Sequence, residues 1–209
     1  MRLDHVSYVA SHDQISDVVN RIGSRIGTVF IDGGIHPKFG TRNFTAPLLN
    51  KQYIEVVCPL DHPATDVTPF GQVVKQKLEE GGGWLAWVIS TENIIHFEKI
   101  IERESVLGKR VKPNGEELEW RQLGVLSLTS DPELPFFIQW ISGEHPSVGN
   151  DAKASISKIN IEGDSSKVIK LLADETSIFE NLNFTNQKNQ LSGINSIEFN
   201  FNGNTVEIF

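Results

Sequence analysis

Two residues near the start of the 209-residue chain carry acid–base chemistry on strand-like segments. They are His5 in LDHVSYVA (Leu3 to Ala10) and Glu55 in QYIEVVC (Gln52 to Cys58). Alternate side chains of a strand share a face, so His5 goes with Ser7 and Val9, and Glu55 with Tyr53 and Val57. A carboxylate beside an imidazole suits proton transfer, with Glu55 as the base if burial raises its pKa. His5 then reads either as a pocket group or as a histidine hydrogen-bonded to Glu55 that steadies the sheet. Three further histidines precede prolines: His36, His62 and His145. Proline holds the residue before it extended, which can be a chain-direction device alone. His36 lies in DGGIHPKFGTRN (residues 32 to 43), read as a glycine-rich loop over or beside a pocket, with Thr41 and Asn43 nearby. That loop lacks the Gly-Lys-Ser/Thr ending of a P-loop and the Gly-x-Gly-x-x-Gly of a dinucleotide turn. His36, Thr41, Asn43, Gln139 and His145 are the candidate substrate contacts, and His62 is read as structural. Trp84, Phe137 and Gln139 have the parity of pocket walls, with core an equal reading for Trp84.

The net charge is -8, from 27 acidic and 19 basic residues. That balance argues against a nucleic-acid partner, whose binders gather Lys and Arg on one face. The one basic cluster, Gly108 to Lys112, is flanked by acids and reads as a solvated turn. A single cysteine, Cys58 in an apolar run, rules out an intramolecular disulfide and a Cys-based zinc site, and reads as a small buried hydrophobe. No stretch approaches the ~20 apolar residues of a membrane span, and the N-terminus has no signal-peptide core. A cytoplasmic protein with a small-molecule ligand and no membrane partner is expected.

The elements that must position these residues repeat. A strand (Leu3 to Ala10) is followed by a helix with Ile15, Val18, Val19, Ile22 and Ile26 on one stripe, capped by Ser11 or Asp13. Thr28 to Ile31 and Gln52 to Cys58 complete a first unit. Trp84 to Ser90 opens a second, with a helix capped by Thr91 whose apolar side is Ile94, Ile95, Phe97, Ile100 and Ile101. Its later strands are Arg121 to Thr129 and Phe136 to Ile141. Tyr8-Val9-Ala10-Ser11 matches Trp87-Val88-Ile89-Ser90, and both units end near a His-Pro pair, which points to duplication. A shortened third copy runs from Ile156 to Ile161 through Val168, Leu171 and Leu172 to a hairpin at Gly203-Asn204. It places Lys158 at His5 and Glu207 at Glu55, with Asn181 to Ser192 as a loop. The fold class is therefore α+β: paired βαβββ modules forming a curved sheet around a concave pocket, plus a C-terminal βαββ half-module. The boundaries are residues 1–150 for the paired modules (about 1–70 and 82–146) and 151–209 for the tail.

LDHV at the first strand, YIEVV at the last strand of the first unit and the repeated βαβββ layout resemble the vicinal-oxygen-chelate superfamily. That superfamily holds glyoxalase I, extradiol dioxygenases and bleomycin-resistance proteins. GGIHPKFGTRN (Gly33 to Asn43) and PFFIQW (Pro135 to Trp140) are similar to its uncharacterised glyoxalase-like branch. The resemblance covers residues 2 to about 150. It implies metal ligands at His5 and Glu55, where Zn, Ni, Fe or Mn would suit a nitrogen and a carboxylate. The second unit departs from the pattern, with Trp84 in place of a histidine and Gln139 in place of a glutamate. In the third, Lys158 would repel a cation. An incomplete ligand set follows, so no cofactor is expected, with a divalent metal as the alternative.

These readings give a glyoxalase-like protein with a small-molecule pocket, doing lyase- or isomerase-type work on a carbonyl-bearing metabolite. Glu55 would be the base, with His5 its partner. The alternative is a metal-free binding or sequestering protein of the bleomycin-resistance type. Either a monomer or a homodimer is compatible, since one chain holds both modules.

Overall fold

Twelve strands and six helices are found among the described residues of the computed structural model, which are 1–112, 114–148, 152–172, 176–186 and 192–209. The first module is β1 (Arg2–Val9), α1 (Ile15–Ile26), β2 (Ile31–His36), β3 (Thr41–Leu48) and β4 (Gln52–Pro59). Helices α2 (Pro63–Val67) and α3 (Pro69–Glu79) lead to the second. This is β5 (Gly83–Ser90), α4 (Ile94–Ile101), β6 (Val106–Val111), β7 (Glu117–Leu123) and β8 (Phe136–Ser142), with a 3-10 helix at Val125–Thr129. The tail holds β9 (Ala154–Glu162), α5 (Ser165–Leu171), α6 (Thr176–Phe179), β10 (Leu182–Thr185), β11 (Gly193–Phe201) and β12 (Asn204–Ile208).

The duplication is visible in the pairing. In each module the first strand lies parallel to the last, β1 to β4 and β5 to β8. The modules then join antiparallel twice, β1 to β5 and β2 to β6, closing an eight-stranded barrel in the order β1-β4-β3-β2-β6-β7-β8-β5. The expected concave sheet is thus curved into closure. The two joints are unequal. β1 and β5 pair along their length, from Arg2–Ser90 to Val9–Gly83, whereas β2 and β6 meet in one pair, Ile35–Val111.

Several local expectations change. The stretch 32–43 is a hairpin: DGGIH is β2, a tight turn spans 37–40, and Thr41 begins β3. Gly34 adopts φ +94° against the Val111 carbonyl, and a Cβ there would stand 2.4 Å from that oxygen. Glycine is needed for this close approach. The basic cluster 108–112 lies largely in β6, with Gly108 and Arg110 buried on one face and Lys109 outside. Only Arg121–Leu123 of the segment 121–129 is strand, because Gly124 in a left-handed conformation turns the chain into the 3-10 helix. Neither Ser11 nor Asp13 caps α1, which starts after Gln14, and Asn93 rather than Thr91 is the N-cap of α4. Ile95 and Ile100 are exposed.

The tail is a four-stranded sheet in the order β10-β9-β11-β12. β10 falls inside the stretch 181–192 expected to be a loop, of which 187–191 lie outside the described residues. β9 pairs with β10 and β11, not with the last strand, so Lys158 faces Glu198, and Glu207 does not stand to it as Glu55 stands to β1. This sheet shares one apolar core with the outer barrel face and α1, including Trp84, Phe137, Phe199, Ile22 and Ile159. A second cluster fills the barrel under α3 and the 3-10 helix, with Phe70, Val73, Leu128 and Phe136.

Candidate active site in the barrel

The parallel pairing sets His5 opposite Tyr53 and Ser7 opposite Glu55, all four turned into the barrel. β1 carries one extra residue against β5 between Leu3 and His5, and that bulge buries Asp4 next to His5. Asp4 accepts His5 Nδ1 at 3.0 Å and His145 Nε2 at 3.1 Å, and Arg2 lies 2.7 Å from the same carboxylate. Burial pushes the Asp4 pKa up, but hydrogen bonds from His145 and His5 and their charges outweigh it. The net shift is far below the usual range, leaving Asp4 ionised. A carboxylate on Nδ1 fixes the imidazole and leaves Nε2 for chemistry. His5 stacks on Tyr53 with ring centroids 4.3 Å apart.

Glu55 lies two residues further along β4. Its carboxylate accepts from Ser7 Oγ at 2.8 Å and from Asn43 Nδ2 at 2.6 Å. Burial raises the Glu55 pKa. The charges of His5 and His36 and these two donors lower it more, so the net shift is downward. This corrects the expectation of a raised pKa: Glu55 is a stabilised anion and a weak base. On its other side, the Asn43 carbonyl accepts from Arg110 Nη1 at 2.9 Å. One amide therefore separates a buried carboxylate from a buried guanidinium. Arg110 is 3% exposed, and its Nε has no partner among the described residues. Burial pulls its pKa down, opposed by Tyr53 and Glu55, and an arginine so shifted stays charged.

His36 ends β2 with Nδ1 3.0 Å from Thr41 Oγ1, across the hairpin turn. Burial lowers its pKa to about 4 despite the pull of Glu55, so it is neutral at pH 7. Burial, with Asp4 and Glu55 nearby, raises Tyr53 well above its ordinary value and keeps the hydroxyl protonated. Trp120, Gln122, Phe136, Ile138, Trp140 and Phe70 complete the wall of a cavity of ≈ 30 Å³. A groove of ≈ 710 Å³ lies outside the barrel beside α4 and α5, but its ionisable groups Lys51, Glu92, His96 and Lys170 are exposed and Arg2 is half-buried. The chemistry is concentrated in the smaller space.

Of the residues singled out from sequence, His5, Glu55, His36 and Asn43 line the barrel cavity. Thr41 supports His36, and His145 stands at the mouth against Asp4, Tyr53 and Trp140. Gln139 points outward, where its amide bonds Glu92 and the Ile94 N–H at the start of α4. Trp84 and Phe137 also face outward into the shared core, and Trp84 Nε1 donates to the Ile208 carbonyl at 2.9 Å. Val88 pairs with Phe136 as His5 pairs with Tyr53, so Ile138 stands where Glu55 does. In β8 the sequence alignment is one residue out, and a one-residue slip turns every side chain to the other face; in β5 it is four residues out, and the register break between Ala86 and Trp84 turns Trp84 outward. His62 caps α2 by accepting from the Ala64 N–H, and Cys58 is buried with a raised pKa.

Sequence reasoning missed Asp4, Tyr53 and Arg110. A signal for Arg110 exists: a βαβββ unit needs three strands after its helix, the segments read as strands supply two in each unit, and the third in the second unit is β6. Among the described residues no three His, Cys, Asp or Glu side chains are grouped to hold a metal. The site does not fit one. Both Glu55 oxygens hold donors, His5 Nδ1 is engaged, and a guanidinium stands one amide away.

Residues 3–175 match the glyoxalase-like domain family, and the chain belongs to it, within the vicinal-oxygen-chelate superfamily. Among solved structures, a hypothetical protein from Staphylococcus aureus is similar at 17% identity and TM-score 0.60. The match covers 99% of this chain and 84% of that one. A methylmalonyl-CoA epimerase from Mycobacterium tuberculosis is similar at 12% identity and TM-score 0.43, covering 66% of this chain and 86% of that one. No match is found among curated proteins.

Proposed function

We propose that this protein is a proton-transfer enzyme of the lyase or isomerase type, acting without a metal on a small carbonyl-bearing metabolite inside the barrel. The observation that carries the reading is the Asp4–His5 pair beside the ionised Glu55 in a closed, aromatic-walled space. With its Nδ1 hydrogen on Asp4, His5 presents the Nε2 lone pair as base to a C–H next to the carbonyl. Glu55 stabilises the imidazolium that results, which exchanges the roles expected from sequence. Tyr53, kept protonated, is the donor for the carbonyl oxygen as negative charge develops there. His36, Thr41 and Asn43 hold the shape of the wall, and His145 holds Asp4 at the mouth. The one-pair contact between β2 and β6 is the weakest joint of the barrel and the route by which so small a cavity widens.

The test needs no known substrate. Hydrogen–deuterium exchange at the methyl groups of pyruvate and hydroxyacetone is followed by NMR in D2O with EDTA present. Catalysed exchange is expected, lowered roughly 10²–10⁴-fold in His5→Gln, the range for a lost general base. Exchange that survives His5→Gln unchanged rejects the mechanism. The second reading, binding without turnover, is favoured by one observation: the polar groups Ser7, Asn43 and Glu55 are already bonded to each other. Saturable binding with no exchange would support it.

A further inference from the structure

We propose that Arg110 is a carboxylate-binding subsite, and that the metabolite taken into the barrel is a short-chain acid whose carboxylate docks on this guanidinium. The proposal rests on the proposed function for the position of the reacting carbonyl, and adds the class of substrate. Arg110 projects from β6 into the barrel and is almost fully buried. A guanidinium carries five N–H donors. Among the described residues it makes one hydrogen bond, to Asn43 Oδ1, no ion pair is formed within 4 Å, and its Nε is buried without a partner. Buried arginine is ordinarily matched by a carboxylate in a two-point contact. Here the nearest carboxylate, Glu55, is held one amide away because Asn43 donates to it at 2.6 Å. The charge is balanced at a distance, and the fork stays open.

The chain also makes room for this guanidinium. A Cβ at Gly33 would stand 2.3 Å from Arg110 Nη1 and 2.2 Å from Asn43 Oδ1. Gly33 in β2 therefore lets both side chains sit as they do. His5 and Tyr53 line the same cavity, so an acid with its carboxylate on Arg110 and a carbonyl beside it would place that carbonyl toward them. The cavity of ≈ 30 Å³ has room for about two waters, so the acid enters as the β2–β6 joint widens, and a short chain asks least of that widening.

The test compares pyruvate with its neutral isostere pyruvamide, binding to the wild-type protein being measured by NMR titration. Pyruvate is expected to bind at least ~10-fold more tightly, the order of a charge-assisted hydrogen-bond pair. Arg110→Gln should remove that preference, and Arg110→Lys, which keeps the charge but loses the fork, should reduce it. Circular dichroism checks that both variants fold, and the wild-type comparison stands without them. Equal affinity for the two ligands, a preference that survives Arg110→Gln, or no binding of pyruvate or acetate at 100 mM (about the weakest useful affinity) overturns the proposal. Inorganic phosphate competing as well as acetate overturns the carboxylate assignment. The two readings fail separately. Tight pyruvate binding without deuterium exchange rejects the enzyme and keeps the subsite, and pyruvamide exchanging as fast as pyruvate does the reverse.

Discussion

His36 shows how far one buried side chain can set the behaviour of the molecule. Its folded pKa is about 4 against 6.5 for the ordinary group. Between those values the unfolded chain holds a proton that the folded chain does not. Stability is therefore full above about pH 6.5 and falls as pH drops toward 4, by on the order of 3 kcal/mol. Glu55 and Asp4, both depressed, add their own loss as pH falls below the ordinary values of 4.5 and 3.8. Urea unfolding at pH 7 and pH 5 should show a lower midpoint at pH 5, and His36→Gln should flatten that difference. Equal midpoints for the wild type would contradict a neutral, desolvated His36. His5 and Glu55 were legible because parity on two strands is a local property. Asp4 was not, since a bulge that turns it inward depends on the partner strand β5.

At the scale of the element, the hairpin β2–β3 explains its own composition. Gly33 faces Arg110 and Asn43 inside, and Gly34 meets the Val111 backbone at the joint of the two modules. Gly34→Ala should destabilise the fold by about 1–3 kcal/mol, because a positive φ and a backbone contact are both refused. Gly33→Ala meets only side-chain ends, so it should spare more stability and displace Arg110 and Asn43 instead. Thermal unfolding beside the pyruvate titration separates the two; equal losses of stability would contradict the assignment. The repeat points to both modules, but GKRVK, short, basic and flanked by acids, reads as a solvated turn where the structure has β6. A buried arginine on an inward face has no sequence signature apart from its alternation with Lys109. The outward turn of Gln139 was lost for a different reason, a one-residue error in aligning β8 that only pairing to β5 resolves.

At the scale of the molecule, the barrel and the tail sheet are tied by one core. Trp84 packs against Phe199, and Leu49 N donates to the Ala154 carbonyl at 2.8 Å. Lys167 of α5 reaches back to Asp131 and Glu133. Trp84→Ala should cost about 3–5 kcal/mol, as large aromatic truncations in a core do, without changing ligand affinity. A strong effect on pyruvate binding at unchanged stability would return Trp84 to the pocket. No helix among the described residues is long and apolar enough to cross a membrane. Closure of two modules into one barrel is what isolates the Asp4–His5–Glu55 cluster from bulk water. The function proposed for that cluster is metal-free proton transfer. The most direct test is the rate of methyl deuterium exchange in pyruvate, in D2O with EDTA, for wild type and His5→Gln. Wild-type exchange indifferent to EDTA and a loss of roughly 10²–10⁴-fold in the variant are expected. Exchange abolished by EDTA and restored by a divalent metal would contradict it.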